Sequence, residues 1–485
     1  MKEQSLLKHF MIIGGGAVIN MLIGLITTPL ITRLVDPTDY GQLSLFNTYS
    51  NIIMMIFCLG LDQSLVRYFY KQDSEEYKRT VLFKCWFYPV IVFCICAALG
   101  LIYVISTGKA KTQNEICIVI LFVINVIALL LNRFSTLILR LTKKSNLYSA
   151  MNILHKIFYV LITLGLVMVY QSHYFQILAF ATVMASVIPA AVGIIVENKM
   201  WNPFSKRYSG KIEYIEMIKY GIPLVVANGI YMIFQAIDKI CLSHFCSYAD
   251  VGVYASAMSL MSIIAILRTT FNTIWAPVSV ERYEKNPEEK EFFKKGNRYI
   301  TVIMFAFGIT LMLAKDLIAF LLGEKYRSAA MIMPFLLFQP IMYTVSETTV
   351  IGIYFKNKSY AQLIVSGAAC IFNIIGNIIL IPLIGAKGAA VSTGLSYILF
   401  FTLRTVFSNK FYYVDFGLKK FYFVTFLTVL YALYNTFVPF NWLSVVLYII
   451  LAIVGCTLYR ETIKELILIA IDKISILKKR GKQDV

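Results

Sequence analysis

Apolar runs long enough to cross a bilayer recur along this whole chain, and that recurrence decides most of what it can fold into. A helix needs about 20 mostly apolar residues to traverse a hydrocarbon core of about 30 Å. About fourteen stretches meet the demand, at roughly 9–33, 41–66, 81–106, 116–139, 147–170, 174–196, 214–238, 251–276, 299–322, 329–354, 360–383, 388–408, 421–438 and 442–459. Little chain lies between them, so no room remains for a soluble domain. Composition agrees, with 59% hydrophobic and 15% charged residues, against about 45–50% and about 25% in soluble domains. The first run stays apolar too long for a signal peptide and lacks a small-x-small cleavage site before Arg33, so it reads as a retained helix. The expected fold is an all-α polytopic membrane protein of about fourteen transmembrane helices.

A formal charge of +19 would point to nucleic acid in a soluble protein. Here the cations gather in alternate connections: Lys71, Lys78 and Arg79; Lys143 and Lys144; Lys206, Arg207 and Lys211; Lys294, Lys295 and Arg298; Lys478, Lys479 and Arg480. Short cytoplasmic loops collect Lys and Arg. The pattern therefore predicts that both termini are cytoplasmic, and it removes nucleic acid as a partner. Residues 461–485 mix Ile463, Leu466 and Ile467 with Lys464 and Lys473. That tail is too charged to span and is expected to lie along the cytoplasmic interface.

A short motif repeats. Asp39-Tyr40-Gly41 before the second run returns as Asp250-Val251-Gly252 before the eighth, and Lys144-Ser145 returns as Lys358-Ser359. The offsets suggest two parallel six-helix bundles, 1–198 and 213–410, joined by a linker at 199–212 and followed by two helices within 411–460. Transporters built from repeats bind substrate near the bilayer midplane.

Enzymatic signatures are absent. The nine cysteines show no CxxC pair and only four histidines accompany them, which argues against zinc and disulfide frameworks. No GxxxxGK[ST], HExxH or GxSxG motif occurs, and Gly14-Gly15-Gly16 lies inside a helical run where small residues allow close packing. The chain reads as a carrier without a resident cofactor. Ion gradients, the membrane potential or substrate concentration would drive it, which leaves proton or Na⁺ coupling open.

Ionisable groups inside spans are costly and usually functional. Arg67, Arg140, Lys219 and Lys239 sit near span ends, where long side chains snorkel. Lys84 and Lys156 lie a turn or two deeper, so snorkelling and a cavity role stay equally open. Arg268, among Ile263, Ile264, Leu267 and Phe271, and Arg133, after Leu129-Leu130-Leu131, are deep enough to require a water-filled cavity, an anion or a carboxylate. Glu347, Asp62 and Asp238 are the embedded acids; each can pair with an arginine or take up a coupling ion. The excess of embedded cations points to an anionic head group, and the guanidinium fork suits phosphate.

Several segments resemble the bacterial polysaccharide flippases of the Wzx type. Pro29-Leu30-Ile31-Thr32-Arg33-Leu34 with Asp39-Tyr40-Gly41 is similar to that family's opening, although Leu34-Val35-Asp36-Pro37 replaces its usual Leu-Gly-Pro. Gly60-Leu61-Asp62 through Arg67-Tyr68-Phe69, Asp238 with Gly252-Val253-Tyr254, and Pro382 through Gly385-Ala386-Lys387-Gly388 resemble later family segments in order. The resemblance implies two six-helix bundles around a central cavity, shared with the multidrug/oligosaccharidyl-lipid/polysaccharide exporter superfamily. It implies an undecaprenyl-pyrophosphate-linked oligosaccharide, such as a capsule or O-antigen repeat unit, as the substrate moved to the outer leaflet of the bacterial inner membrane. Membrane lipids, a polysaccharide polymerase and chain-length machinery are the implied partners. On this reading Arg268, Arg133 and Arg33, with Lys84 and Lys156, are cavity cations. Outward movement of two negative charges is favoured by about 2.3 kcal/mol per charge per 100 mV. The rivals are a drug/cation antiporter of the same superfamily, a peptidoglycan-precursor flippase, and a membrane polymerase or acyltransferase.

Overall fold

The computed structural model describes residues 19, 22–108, 112–170, 174–202, 208, 213–468 and 471. Among them the regular elements are all helical, with no strand. A bilayer offers no water to backbone groups, so each segment satisfies its own. Several hydroxyls are satisfied within their own helix: those of Thr48, Thr182, Thr344 and Thr428 donate to carbonyls four residues earlier, at 2.6–2.9 Å.

Two compact units divide the chain, Met1–Ala255 and Ser256–Val485. The first holds α1 (Leu22–Leu34), α2 (Pro37–Cys58), α3 (Leu61–Tyr68), α4 (Glu75–Ser106), α5 (Gln113–Leu141), α6 (Ser145–Val169), α7 (Tyr174–Val196), the short α8 (Asn198–Trp201) and α9 (Tyr214–Phe245). The unit boundary falls within α10 (Tyr248–Met261). The second unit continues with α11 (Ile263–Lys285), α12 (Lys290–Leu313), α13 (Lys315–Ala319), a 3-10 segment (Glu324–Met331), α14 (Met333–Leu336), α15 (Phe338–Thr349), α16 (Ile351–Phe355), α17 (Ser359–Ile384), α18 (Ala386–Phe411), α19 (Leu418–Phe437) and α20 (Trp442–Leu458).

Among the described residues eight helices are long and apolar enough to cross a membrane, or eleven if each bent pair forms one span. This differs from the fourteen runs read in the sequence for local reasons. Much of the run 9–33 lies outside the described residues, as do Gly14-Gly15-Gly16, Lys206, Arg207, Lys211 and most of the tail 461–485. The run 251–276 divides at Ser262 into α10 and α11, and the run 299–322 divides after Leu313. Large apolar side chains such as Leu99, Ile102, Leu161, Met168 and Leu383 are exposed. A belt of this kind would drive association in water and is stable facing acyl chains. The protein is a multi-pass membrane protein.

Small residues set the closest approaches. A β-carbon on Gly193 of α7 would lie 1.9 Å from Ser135 Oγ of α5, and one on Gly376 of α17 would lie 2.3 Å from Ser392 Oγ of α18. Dispersion between helices brought this near replaces the hydrophobic drive that lipid cannot supply. The repeated Asp-x-Gly motif forms a reciprocal contact in the first unit. A β-carbon on Gly41 would meet the Tyr248 carbonyl oxygen at 1.8 Å, and one on Gly252 would meet the Pro37 carbonyl oxygen at 2.0 Å.

A second glycine contact joins the α2–α3 break to α9. Leu59 and Gly60 both have positive φ, 49° and 69°, and the chain bends by 50° there. A β-carbon on Gly60 would lie 2.4 Å from the Gly221 carbonyl oxygen, while Ser64 Oγ donates to the Met217 carbonyl at 2.6 Å. Gly60→Val is therefore expected to destabilise the protein by at least about 1–2 kcal/mol through left-handed strain alone. A melting temperature in detergent equal to that of the unaltered protein would contradict this approach of α2 to α9.

Candidate functional site

In the first unit the α2–α3 break creates the polar position. The helix restarts at Leu61, which places Asp62 in the first turn of α3, where a carboxylate is favoured by the unpaired N–H groups. Arg133, on α5, donates to Asp62 Oδ2 from Nε at 3.0 Å and from Nη2 at 2.6 Å. Gln63 Nε2 donates to the same oxygen at 3.0 Å. The aspartate side chain is 13% exposed and that of Arg133 is 44% exposed. One edge of the guanidinium is thus locked, and Nη1 has no hydrogen-bond partner among the described residues. A charged fork held this way is oriented and still able to donate.

The other candidates of this unit are separate from that pair. Asp238 of α9 is buried and accepts from the Tyr254 hydroxyl at 2.6 Å. Lys84 of α4 and Lys156 of α6 are half-buried, and Arg33 near the end of α1 is exposed. Beside Lys156, His155 Nε2 lies 3.5 Å from Ser186 Oγ. Of the cations read as snorkelling, Arg67 is exposed and rests over the Tyr220 ring, 4.2 Å from its centroid.

The second unit carries a denser cluster, built by α11, α15, α16, α17 and α18. Arg404 of α18 is wholly buried. Its Nη1 donates to Glu347 Oε1 at 2.8 Å and to Ser346 Oγ at 2.6 Å, its Nε to Gln362 Oε1 at 3.1 Å, and its Nη2 to the Tyr354 hydroxyl at 3.0 Å. A buried guanidinium with partners on every nitrogen is a structural group. Tyr343, one turn before Glu347, lies parallel to Phe400, with centroids 5.9 Å apart and planes 8° apart. The Arg404 guanidinium carbon is 5.5 Å from the Tyr343 centroid and 5.4 Å from that of Phe400. Arg268 of α11 approaches the same tyrosine, 4.9 Å from the centroid. No carboxylate pairs with Arg268 among the described residues.

The structure thus brings Asp62 to Arg133, and it gives Glu347 to Arg404 in place of Arg268. Arg404 escaped the sequence reading because it lies near the end of an apolar run, where a cation passes for a snorkelling one. The signal that could have found it is the aromatic pair Tyr397 and Phe400 one and two turns earlier on the same helix, which leaves the charge no route to water. Fully buried Lys315, bonded to Asp316 Oδ2 at 2.8 Å, was overlooked for the same reason.

The fold has counterparts among known proteins. The lipid II flippase MurJ, in an inward closed conformation, superposes with a TM-score of 0.69 at 13% identity, covering 93% of this chain and 99% of that one. An inward-facing multidrug resistance MATE family transporter of the MOP superfamily gives a TM-score of 0.57 at 15% identity, covering 81% and 94%. A MOP superfamily transporter from Pyrococcus furiosus gives 0.55 at 12% identity, covering 84% and 95%. The fold is therefore of the MurJ and MATE kind. An uncharacterized membrane protein of Methanocaldococcus jannaschii is 22% identical over 401 residues, 78% of each chain. One of Haemophilus influenzae is 19% identical over 308 residues, 61% of this chain and 71% of its own. The family model described as polysaccharide biosynthesis protein matches residues 6–282, more than half the chain, and this multi-pass membrane protein belongs to that family.

Proposed function

We propose that the protein is a flippase that carries an undecaprenyl-pyrophosphate-linked oligosaccharide from the cytoplasmic to the outer leaflet of a bacterial inner membrane by alternating access. The observation that carries this reading is Arg268, an embedded arginine held on an aromatic ring with no carboxylate paired to it among the described residues. A phosphate-bearing head group is the ligand chemistry such a cation suits. Arg133, with one edge bound to Asp62 and one free, offers a second oriented fork in the other unit. Membership in the polysaccharide biosynthesis protein family supports the glycan, and likeness to a lipid II flippase fold supports lipid-linked cargo. A drug/cation antiporter would be better served by uncompensated acids, yet Asp62 and Glu347 are both bound to arginine.

Cytoplasmic termini, with the polymerase and chain-length machinery as partners, belong to the same proposal. Coupling to protons or Na⁺ would fall to Asp238, a buried acid that accepts from the Tyr254 hydroxyl. Depleting the protein is expected to make lipid-linked repeat units accumulate on the cytoplasmic face, read by leaflet-specific enzymatic labelling. Normal distribution of the repeat unit across the leaflets in depleted cells would refute the reading.

A further inference from the structure

We propose that Tyr343 is a positioning residue that holds Arg268 as an uncompensated anion-binding arm, with the Arg404–Glu347 pair keeping the nearby carboxylate occupied. The inference rests on the flippase reading and deepens it by naming how the phosphate-binding charge is kept available.

Arginine inside a membrane protein is ordinarily stabilised by a carboxylate, which also cancels its charge. Arg268 is held differently. Its guanidinium lies 4.9 Å from the Tyr343 centroid, and attraction to a ring face consumes no N–H donor and no charge. The acid that could have cancelled it stands one helical turn away on α15: Glu347, four residues after Tyr343, shares a face with it. That carboxylate is taken instead by Arg404, at 2.8 Å. Arg404 in turn donates to Ser346 from that same Nη1 and commits Nε to Gln362 and Nη2 to Tyr354, so each of its nitrogens is engaged. The ring cannot drift, because Phe400 stacks against it at 5.9 Å and Arg404 approaches both aromatics. Two cations therefore meet one tyrosine, with different fates: the buried one is fully paired, and the half-buried one keeps its donors.

The ligand class follows from those donors. An uncompensated planar fork selects an oxyanion, of which a lipid-borne pyrophosphate is the kind the flippase reading supplies. A neutral lipid head group would gain nothing from the same seat.

The test measures binding of undecaprenyl pyrophosphate, and of undecaprenol as the uncharged control, to the full chain in nanodiscs. Tyr343→Leu is expected to weaken the pyrophosphate lipid about tenfold and leave undecaprenol unchanged. Tyr343→Phe, which keeps the ring, is expected to stay within about twofold of the unaltered protein. If Arg268→Ala weakens pyrophosphate binding while Tyr343→Leu does not, the seat is overturned and the flippase reading stands. If Arg268→Ala itself has no effect, the phosphate role of Arg268 falls and the seat falls with it. A loss in Tyr343→Phe as large as in Tyr343→Leu would assign the effect to the hydroxyl and overturn the ring's role.

Discussion

Arg404→Leu is expected to lower the unfolding free energy by about 3–5 kcal/mol, the largest stability effect of any substitution considered for this protein. The substitution keeps apolar volume but leaves the Glu347 carboxylate, only 13% exposed, without its cation. Gln362, Ser346 and Tyr354 lose a charged donor in the same step. Loss of the acid alone, as in Glu347→Leu, is expected to be comparably damaging, because the guanidinium would then be buried without a counter-charge. The double replacement is expected to recover much of the loss, since two apolar groups of similar volume often replace a buried ion pair at little cost. Thermal unfolding in detergent, arranged as a double-mutant cycle, measures the coupling. Strict additivity of the two single effects would contradict the pairing.

Combined replacement of Arg133 and Arg268 by alanine is expected to reduce translocation about a hundredfold or more. A charged hydrogen bond contributes about 1.5–3 kcal/mol, so each single change is expected to lower flux by at least about tenfold. The two residues share no partner, so their effects should come close to adding. Lysine at either position is expected to rescue only in part, because an ammonium lacks the bidentate fork. Asp62→Asn offers a finer contrast: it preserves the Arg133 charge but weakens its anchor, so a loss smaller than that of Arg133→Ala is expected. The measurement is the rate at which lipid-linked repeat units reach the outer leaflet. Full flux in the doubly substituted protein would remove arginine from the mechanism.

How legible was the site in the sequence? Charges deep within an apolar run, such as Arg133, Arg268 and Glu347, could be listed from hydropathy, whereas Arg404 and Lys315, near the ends of their runs, could not. Nor could the partners of any of them. Asp62 and Arg133 are 71 positions apart, and Glu347 and Arg404 are 57 apart. Nothing local distinguishes Glu347 as the mate of Arg404 from Glu347 as the mate of Arg268. Tyr343 carried no signal, since one tyrosine among 31 reads as packing or interface until its neighbours are known. The Asp-x-Gly repeat was legible as a motif, but the reciprocal approach of Gly41 and Gly252 depends on where helix backbones cross.

The amino-acid sequence by itself determined that this chain is an all-helical membrane protein, because in hydrocarbon every backbone group must be satisfied within its own segment and long apolar runs leave no other solution. It also marked many of the charges that sit within apolar runs. Only the tertiary structure decided which of them are spent. Pairing in a low-dielectric interior depends on distances of a few ångströms between helices remote in sequence, and those distances pair Arg404 with Glu347 and give Arg268 no carboxylate among the described residues.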